Sequence, residues 1–272
     1  MRIFSRTSIV VLFAVMATSP LAVAQGTASA LQTPAPDPGA KQTYSLNAVG
    51  KPDISGIWIL KGSGAPGEPL EKTKFSGSVP ESELWRTTYA RPHLSNPLPP
   101  FQPWAEAKYK ATTPDQDPEL TCVPPGIPAT LLEPFPFEIL QVPGKIFMLF
   151  EYDHLVRPIY TDGRPIPADA DPTYMGQAVG KWEGDTLVVD TVAFNEKTWL
   201  DATGLPHTAA LHVTEHLRRL DHNTLEDLIT IDDPKTYTKP WTVRKVYDLK
   251  PKWEIMEYEC EENNKENPAP IK

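Results

Sequence analysis

The sequence predicts an all-β protein, an antiparallel meander closing into a lipocalin-like (calycin-type) barrel behind a loop-rich N-terminal segment. Three observations predict it. From Phe137 onward short apolar runs alternate with tight-turn signals; no helix-forming stretch separates them; and the 31 prolines fall in clusters that forbid long helices. A sandwich is the other closure open to so many strands. A propeller is disfavoured, because no repeat of fixed period is present.

The chain opens on a secretory signal. Arg2 and Arg6 form a basic start, Ser8 to Ala17 a short apolar run, Pro20 a break, and Ala22-Val23-Ala24 a small-x-small site. Residues 1–24 are thus expected to be removed before Gln25, and the run is shorter than the roughly 20 residues a membrane span needs. No Cys stands at the cleavage site to take a lipid anchor. Residues 25–50, rich in Ala, Pro, Gln and Thr, read as a flexible leader. Residues 51–264 read as one domain and 265–272 as a flexible tail.

Order is expected to begin with a strand at Pro52–Leu60, anchored by Trp58. A loop-rich stretch follows, with one helical candidate at Gln102–Ala111. There Pro103 suits the first turn, and Trp104 and Tyr109 are expected to pack inward. The run Cys122-Val-Pro-Pro-Gly-Ile-Pro128 must be a rigid non-helical crossing. Strands then follow at Phe137–Val142 and Lys145–Tyr152 around Pro143-Gly144, at Leu155–Tyr160, and at Gly176–Trp182 and Thr186–Phe194 around Glu183-Gly184-Asp185. The remainder are Leu211–Leu220 and Thr224–Asp232 around Asp221-His222-Asn223, and Trp241–Leu249 and Trp253–Cys260 around Lys250-Pro-Lys252. With the first strand this makes about ten, most of them joined by tight turns.

Charge narrows the partners. The chain carries 26 basic and 35 acidic side chains, and loss of Arg2 and Arg6 with the signal takes the net charge from −9 to −11. Such a surface repels phosphate backbones and anionic lipid, so neither nucleic acid nor a membrane is an expected partner, and a small molecule is. The cysteines are Cys122 and Cys260. In a chain exported to the periplasm or beyond, two thiols form a bridge more often than they stay free, with two buried thiols as the alternative.

Several stretches carry a resemblance. Gly180-Lys-Trp-Glu-Gly-Asp-Thr-Leu-Val-Val-Asp-Thr-Val-Ala-Phe-Asn195, Trp199-Leu-Asp201 and Gly204-Leu-Pro-His207 resemble the signature of a bacterial family of exported β-rich proteins. Ile159–Arg164, Asp232–Trp241, Glu257–Cys260 and the run after Cys122 belong to the same pattern. The resemblance spans Pro52 to Asn264. It implies export and a shared β-rich fold, and transfers no reaction. The chain departs from the pattern at Glu215-His216-Leu-Arg-Arg219, where the family has Glu-Arg followed by further arginines.

Strand alternation sorts the candidate chemistry by face. Asp190 shares a face with Val188, Val192 and Phe194, so it is either an inward-facing functional group or an outward residue of a two-sided strand. Inside a barrel, desolvation would raise its pKa and make it a proton carrier. Glu215 shares a row with Val213 and Leu217, as a general acid or base or as the partner of an arginine such as Arg219. His207 lies in the Trp199–His207 loop with Asp201, where either a site or a loop-fixing hydrogen bond fits. Arg157 and Arg164 offer flat bidentate forks for a carboxylate or phenolate, and Tyr160 and Trp199 are stacking surfaces. Asp162-Gly163 also reads as a simple turn.

No metal is expected. His212 and His216, four apart on a strand, stand about 13 Å from each other at about 3.3 Å per residue and cannot share an ion. No Gly-x-Ser-x-Gly elbow, Walker loop, Rossmann fingerprint or Cys-x-x-Cys pair is present, so serine hydrolase, nucleotide and redox chemistry lack support. The expectation is therefore an exported, cofactor-independent enzyme acting on a small hydrophobic or aromatic molecule by proton transfer. Elimination, isomerisation or hydrolysis would result, for example ether cleavage of plant-derived aromatics. His207 with Asp190 or Glu215 would be acid and base, Arg157 or Arg164 would hold an anion, and Trp199 would stack. The alternative is a non-catalytic periplasmic binding protein for an apolar ligand. An apolar cavity favours carriage; one with His or carboxylates in mutual reach favours catalysis. A structural or surface-assembly protein would instead have a packed interior.

Overall fold

The computed structural model describes residues 44–62 and 98–263, all within one compact unit, Gly39–Lys272. The expected signal, most of the leader and the tail lie outside the described residues. Nine strands form a closed barrel: β1 (Gly56–Leu60), β2 (Phe137–Val142), β3 (Lys145–Phe150), β4 (Val156–Tyr160), β5 (Gln177–Glu183), β6 (Thr186–Val192), β7 (His212–Arg219), β8 (Thr224–Asp232) and β9 (Trp241–Leu249). Each pairs with its neighbour in sequence, and β1 closes the ring on β9 through Trp58↔Leu249, Ile59↔Asp248 and Leu60↔Tyr247.

The barrel is all-β as expected, with two corrections. It is mixed rather than purely antiparallel, because β4 and β5 pair in parallel at Ile159↔Ala178 and Tyr160↔Val179. The chain between them runs back along the barrel before re-entering at Gly176. That residue holds a φ of +67°, and a Cβ there would lie 2.7 Å from Thr191 Cγ2 and 2.9 Å from Val192 O. The second correction concerns Trp253–Cys260, which is not a strand. Once β1 has paired with β9 the barrel has no edge to offer, so the alternating pattern finds no ladder. The segment instead lies across Glu119–His154. Met256 N donates to Glu151 (2.9 Å), the Tyr258 ring stacks on Tyr152 with centroids 5.0 Å apart, and His154 meets Glu259 at 3.1 Å. It ends in a single turn, Cys260–Asn263, after the disulfide Cys122–Cys260, whose Cα atoms are 5.7 Å apart.

The inner face follows the strand period of two. Trp58, Phe137, Ile139, Ile146, Met148, Ile159, Leu187, Val189, Val213, Leu217, Leu225, Ile229 and Tyr247 are all buried in one cluster. The outer face is amphipathic, with ion pairs such as Arg218–Glu226 and Arg244–Glu226 across β7, β8 and β9. One end of the barrel is covered by α1 (Pro103–Ala111), by the segment through Leu131, and by the loop from Thr198 to Thr208. Pro103 opens α1 as expected, and Ala105 and Tyr109, one turn apart, form its buried face. Trp104 is 44 % exposed rather than inward; its indole N–H donates to Lys235 O at 2.7 Å, on the side of the helix away from Tyr109.

Candidate functional site

The residues singled out in the sequence do not converge on one site. They fall in three places, and a fourth feature, a groove, contains none of them.

The first place is the barrel interior. Glu215 faces inward from β7, as its apolar row requires, but its partner is Arg157 on β4 rather than Arg219. The guanidinium grips the carboxylate with both terminal nitrogens, Nη1 donating to Oε1 at 2.9 Å and Nη2 to Oε2. Nη2 also donates to Thr191 Oγ1 at 2.9 Å, and Nη1 lies 3.6 Å from Met148 Sδ. Arg157 and Glu215 are 1 % and 0 % exposed, so Arg157 offers no fork to solvent. Arg219 is used elsewhere: it donates to the carbonyls of Asp53, Asp221 and His222 and lies over the Trp58 ring, plugging the other end of the barrel.

Beside this pair sits Asp227, fully buried on β8. Its carboxyl meets that of Glu215, no N–H or hydroxyl donor among the described residues reaches either of its oxygens, and Arg157 Nε is also unsatisfied. Burial pushes the Asp227 carboxyl well above the usual range; the Glu215 charge close by adds to this and Arg157 opposes it. Asp227 is therefore a carboxyl whose ionisation is opposed, next to an ion pair. The Tyr247 hydroxyl, also driven up by burial, completes the cluster and reaches Leu131 O at 3.4 Å. The sequence carries a signal for Asp227. It occupies the apolar row Leu225, Ile229, Ile231, the same kind of row that picked out Glu215.

The second place is the capped end. His207 is buried, with Nδ1 3.2 Å from Thr208 O and Nε2 3.0 Å from Thr198 Oγ1. A carbonyl only accepts, so Nδ1 carries the proton and Nε2 accepts from the threonine hydroxyl. Desolvation lowers the imidazole pKa, partly opposed by the Thr208 carbonyl and by the charges of Asp233 and Glu196. Asp233 organises this end. Its oxygens accept from Thr208 N (2.6 Å), Thr208 Oγ1 (3.0 Å), Thr236 Oγ1 (2.8 Å) and Lys235 N (3.1 Å). The Tyr237 hydroxyl donates to Pro206 O at 2.8 Å, and Asp201 caps its own turn through Thr203 N and Oγ1. Gly204, at φ +88°, lets this loop press on α1, since a Cβ would lie 2.7 Å from Thr112 Cγ2. Trp199 is half-buried in the same loop. His207 and Asp233 thus share a network through Thr208, and with the Asp201 turn it fixes the loop. The Asp232–Trp241 stretch of the resemblance is half of that network.

The third place is the outer wall. Asp190 points outward, because Leu187, Val189 and Thr191 take the inner face of β6. It accepts from Thr214 Oγ1 at 3.1 Å and meets His212 Nε2 at 3.0 Å, half-exposed. Tyr160 is held between Lys145, 4.6 Å from its ring centroid, and Arg164, 4.1 Å from it. Arg164 in turn grips Asp162 and is exposed. That interaction lowers the Asp162 carboxyl, with the Arg164 side-chain hydrogen bond as the main cause.

The fourth place was not foreseen. At the barrel end opposite α1, a groove of about 340 Å³ opens beside the turn Pro143-Gly144. Ile146, Val142, Val49 and Trp182 line it, with Asn47 and Lys51 contributed by the segment that precedes β1. That segment is fixed in place. Asn47 Oδ1 accepts from the amides of Val49 and Lys51, and the Gln141 amide accepts from Ile54 N and Ser55 Oγ and donates to Pro52 O. Among the described residues that line the groove there is no carboxylate and no imidazole. It stayed hidden in the sequence because it joins a stretch read as flexible leader to a hairpin some 90 residues away.

Among the described residues no cluster of His, Cys, Asp or Glu could hold a metal ion, and no helix is long and apolar enough to cross a membrane. Comparison with protein families, with characterised proteins and with solved structures gave no match.

Proposed function

We propose that this is an exported binding protein for a small, flat, apolar molecule, held in the groove beside Pro143-Gly144. One observation carries the reading. The groove is mainly apolar and its lining holds no carboxylate or imidazole, whereas the acid–base candidates are sealed inside the barrel, spent on a loop, or paired on the outer wall. A binding site needs an apolar lining with a few polar groups at its rim, and the groove falls at the small end of the usual range for ligand pockets. Export is supported by the N-terminal pattern, by the Cys122–Cys260 bridge and by the resemblance to an exported family.

The test is to incubate purified mature chain, beginning at Gln25, with a panel of aromatic and lipid-like compounds, and to identify retained and converted species by mass spectrometry. Compounds retained unchanged support carriage. Turnover of any of them contradicts it.

A second reading is the acid–base enzyme, and a specific observation favours it. Asp227, a buried carboxyl whose pKa is raised, adjoins Glu215, which is paired with Arg157, and two carboxyl groups in unlike surroundings are what acid–base catalysis uses. In this reading Glu215 takes a proton and Asp227 returns one, in an elimination, isomerisation or hydrolysis of an aromatic substrate. Opening of the barrel is then required, and a Glu215→Gln variant loses turnover while keeping its fold.

A further inference from the structure

Resting on the groove as a binding site, we propose that its ligand class is an aromatic molecule of one or two rings bearing a single anionic group, with the anion at Lys51. Size sets the first part. A volume of about 340 Å³ admits a one- or two-ring compound and little more. Shape sets the second. Trp182 and Ile146 line the groove at the barrel end and pack on the core, and an aromatic lining favours an offset-stacked flat ring over a branched chain.

Charge sets the third. The charged side chain lining the groove is Lys51, and its ammonium has no carboxylate partner among the described residues. The nearby cations are otherwise engaged: Lys145 rests on the Phe147 and Tyr160 rings, and Arg164 grips Asp162. Nothing in the lining pairs with an ammonium ligand, since no carboxylate is present there. The rest of the molecule works against a non-specific explanation. A chain of net charge −9, and −11 without its signal, repels anions at long range and attracts cations. A preference for anions must then arise locally at Lys51.

The experiment titrates naphthoate, its neutral amide and naphthylmethylammonium into the mature chain, and into Lys51→Met and Lys51→Arg, by calorimetry with NMR shift mapping. Naphthoate is expected to bind about two- to fivefold tighter than the amide, the order of one exposed charge pair. Lys51→Met removes the preference without weakening the amide, and Lys51→Arg keeps it. Equal affinity for naphthoate and amide in the unaltered chain, or a preference that survives Lys51→Met, overturns the assignment of Lys51 and leaves groove binding standing. If none of the three compounds shifts the Trp182 indole or Ile146 methyl resonances, the binding reading fails with it.

Discussion

Asp227 and His207 are the side chains whose burial makes stability depend on pH. Asp227 is an acid whose folded pKa is raised, so above its ordinary value the folded chain holds a proton that the unfolded chain has released. Its contribution is complete at low pH and is lost as pH rises toward the folded pKa, at about 1.4 kcal/mol per pH unit. Asp227→Asn keeps the shape without the titration, and denaturant melts from pH 5 to 9 should show this part of the slope gone. His207 has the opposite sign. Its folded pKa is lowered, so stability is present above the ordinary imidazole pKa and falls as pH drops through the folded value. His207→Gln should flatten that acid-side loss. Arg157 is different, because removing it leaves Glu215 as an unpaired buried charge. Arg157→Met should cost about 3–5 kcal/mol, while Arg157→Met with Glu215→Leu recovers most of it, as measured by equilibrium unfolding. The Glu215 row was legible from alternation alone. Its partner was not, because Arg157 lies 58 residues earlier on a strand that does not neighbour β7, and only closure of the barrel brings them together.

Among elements, the hairpins were the readable part. Pro143-Gly144, Glu183-Gly184-Asp185 and Asp221-His222-Asn223 each join the strands expected of them, since a tight turn admits only an antiparallel return. The longer excursion from Thr161 to Met175 carried a turn signal at Asp162-Gly163 but no strand directly after it, and its return is parallel. The C-terminal stretch misled because alternation reports a pattern of faces and not the presence of a pairing partner. Its anchor is covalent. The disulfide closes a loop with a sequence separation of 138, and in the chain-entropy account a loop of that length is worth about 4–5 kcal/mol. Replacing both cysteines by serine should therefore lower stability by up to this amount. Limited proteolysis should then cut within Trp253–Cys260 while the barrel strands stay protected. Early cleavage inside β5 to β8 would contradict this picture, because those strands form the most continuous part of the ladder.

For the whole molecule, the closed barrel divides polar groups into those the ring seals and those its ends present. The Arg157–Glu215–Asp227 cluster is sealed, and the His207–Asp233 network closes one end. The groove at the other end is a concave surface open to solvent. The sequence made the division partly visible. It showed which residues share a face, but not which face is inner, as Asp190 illustrates, nor that the stretch before β1 forms one wall of a site. The account rests on where a ligand sits, so the most direct measurement is shift mapping of an aromatic probe such as naphthoate on the isotope-labelled mature chain, with the compound recovered afterwards. The account predicts shifts confined to Trp182, Ile146, Val142 and Lys51, with the compound unchanged. Shifts centred on Glu215, Asp227 and Arg157, together with conversion of the compound that Glu215→Gln abolishes, would contradict it.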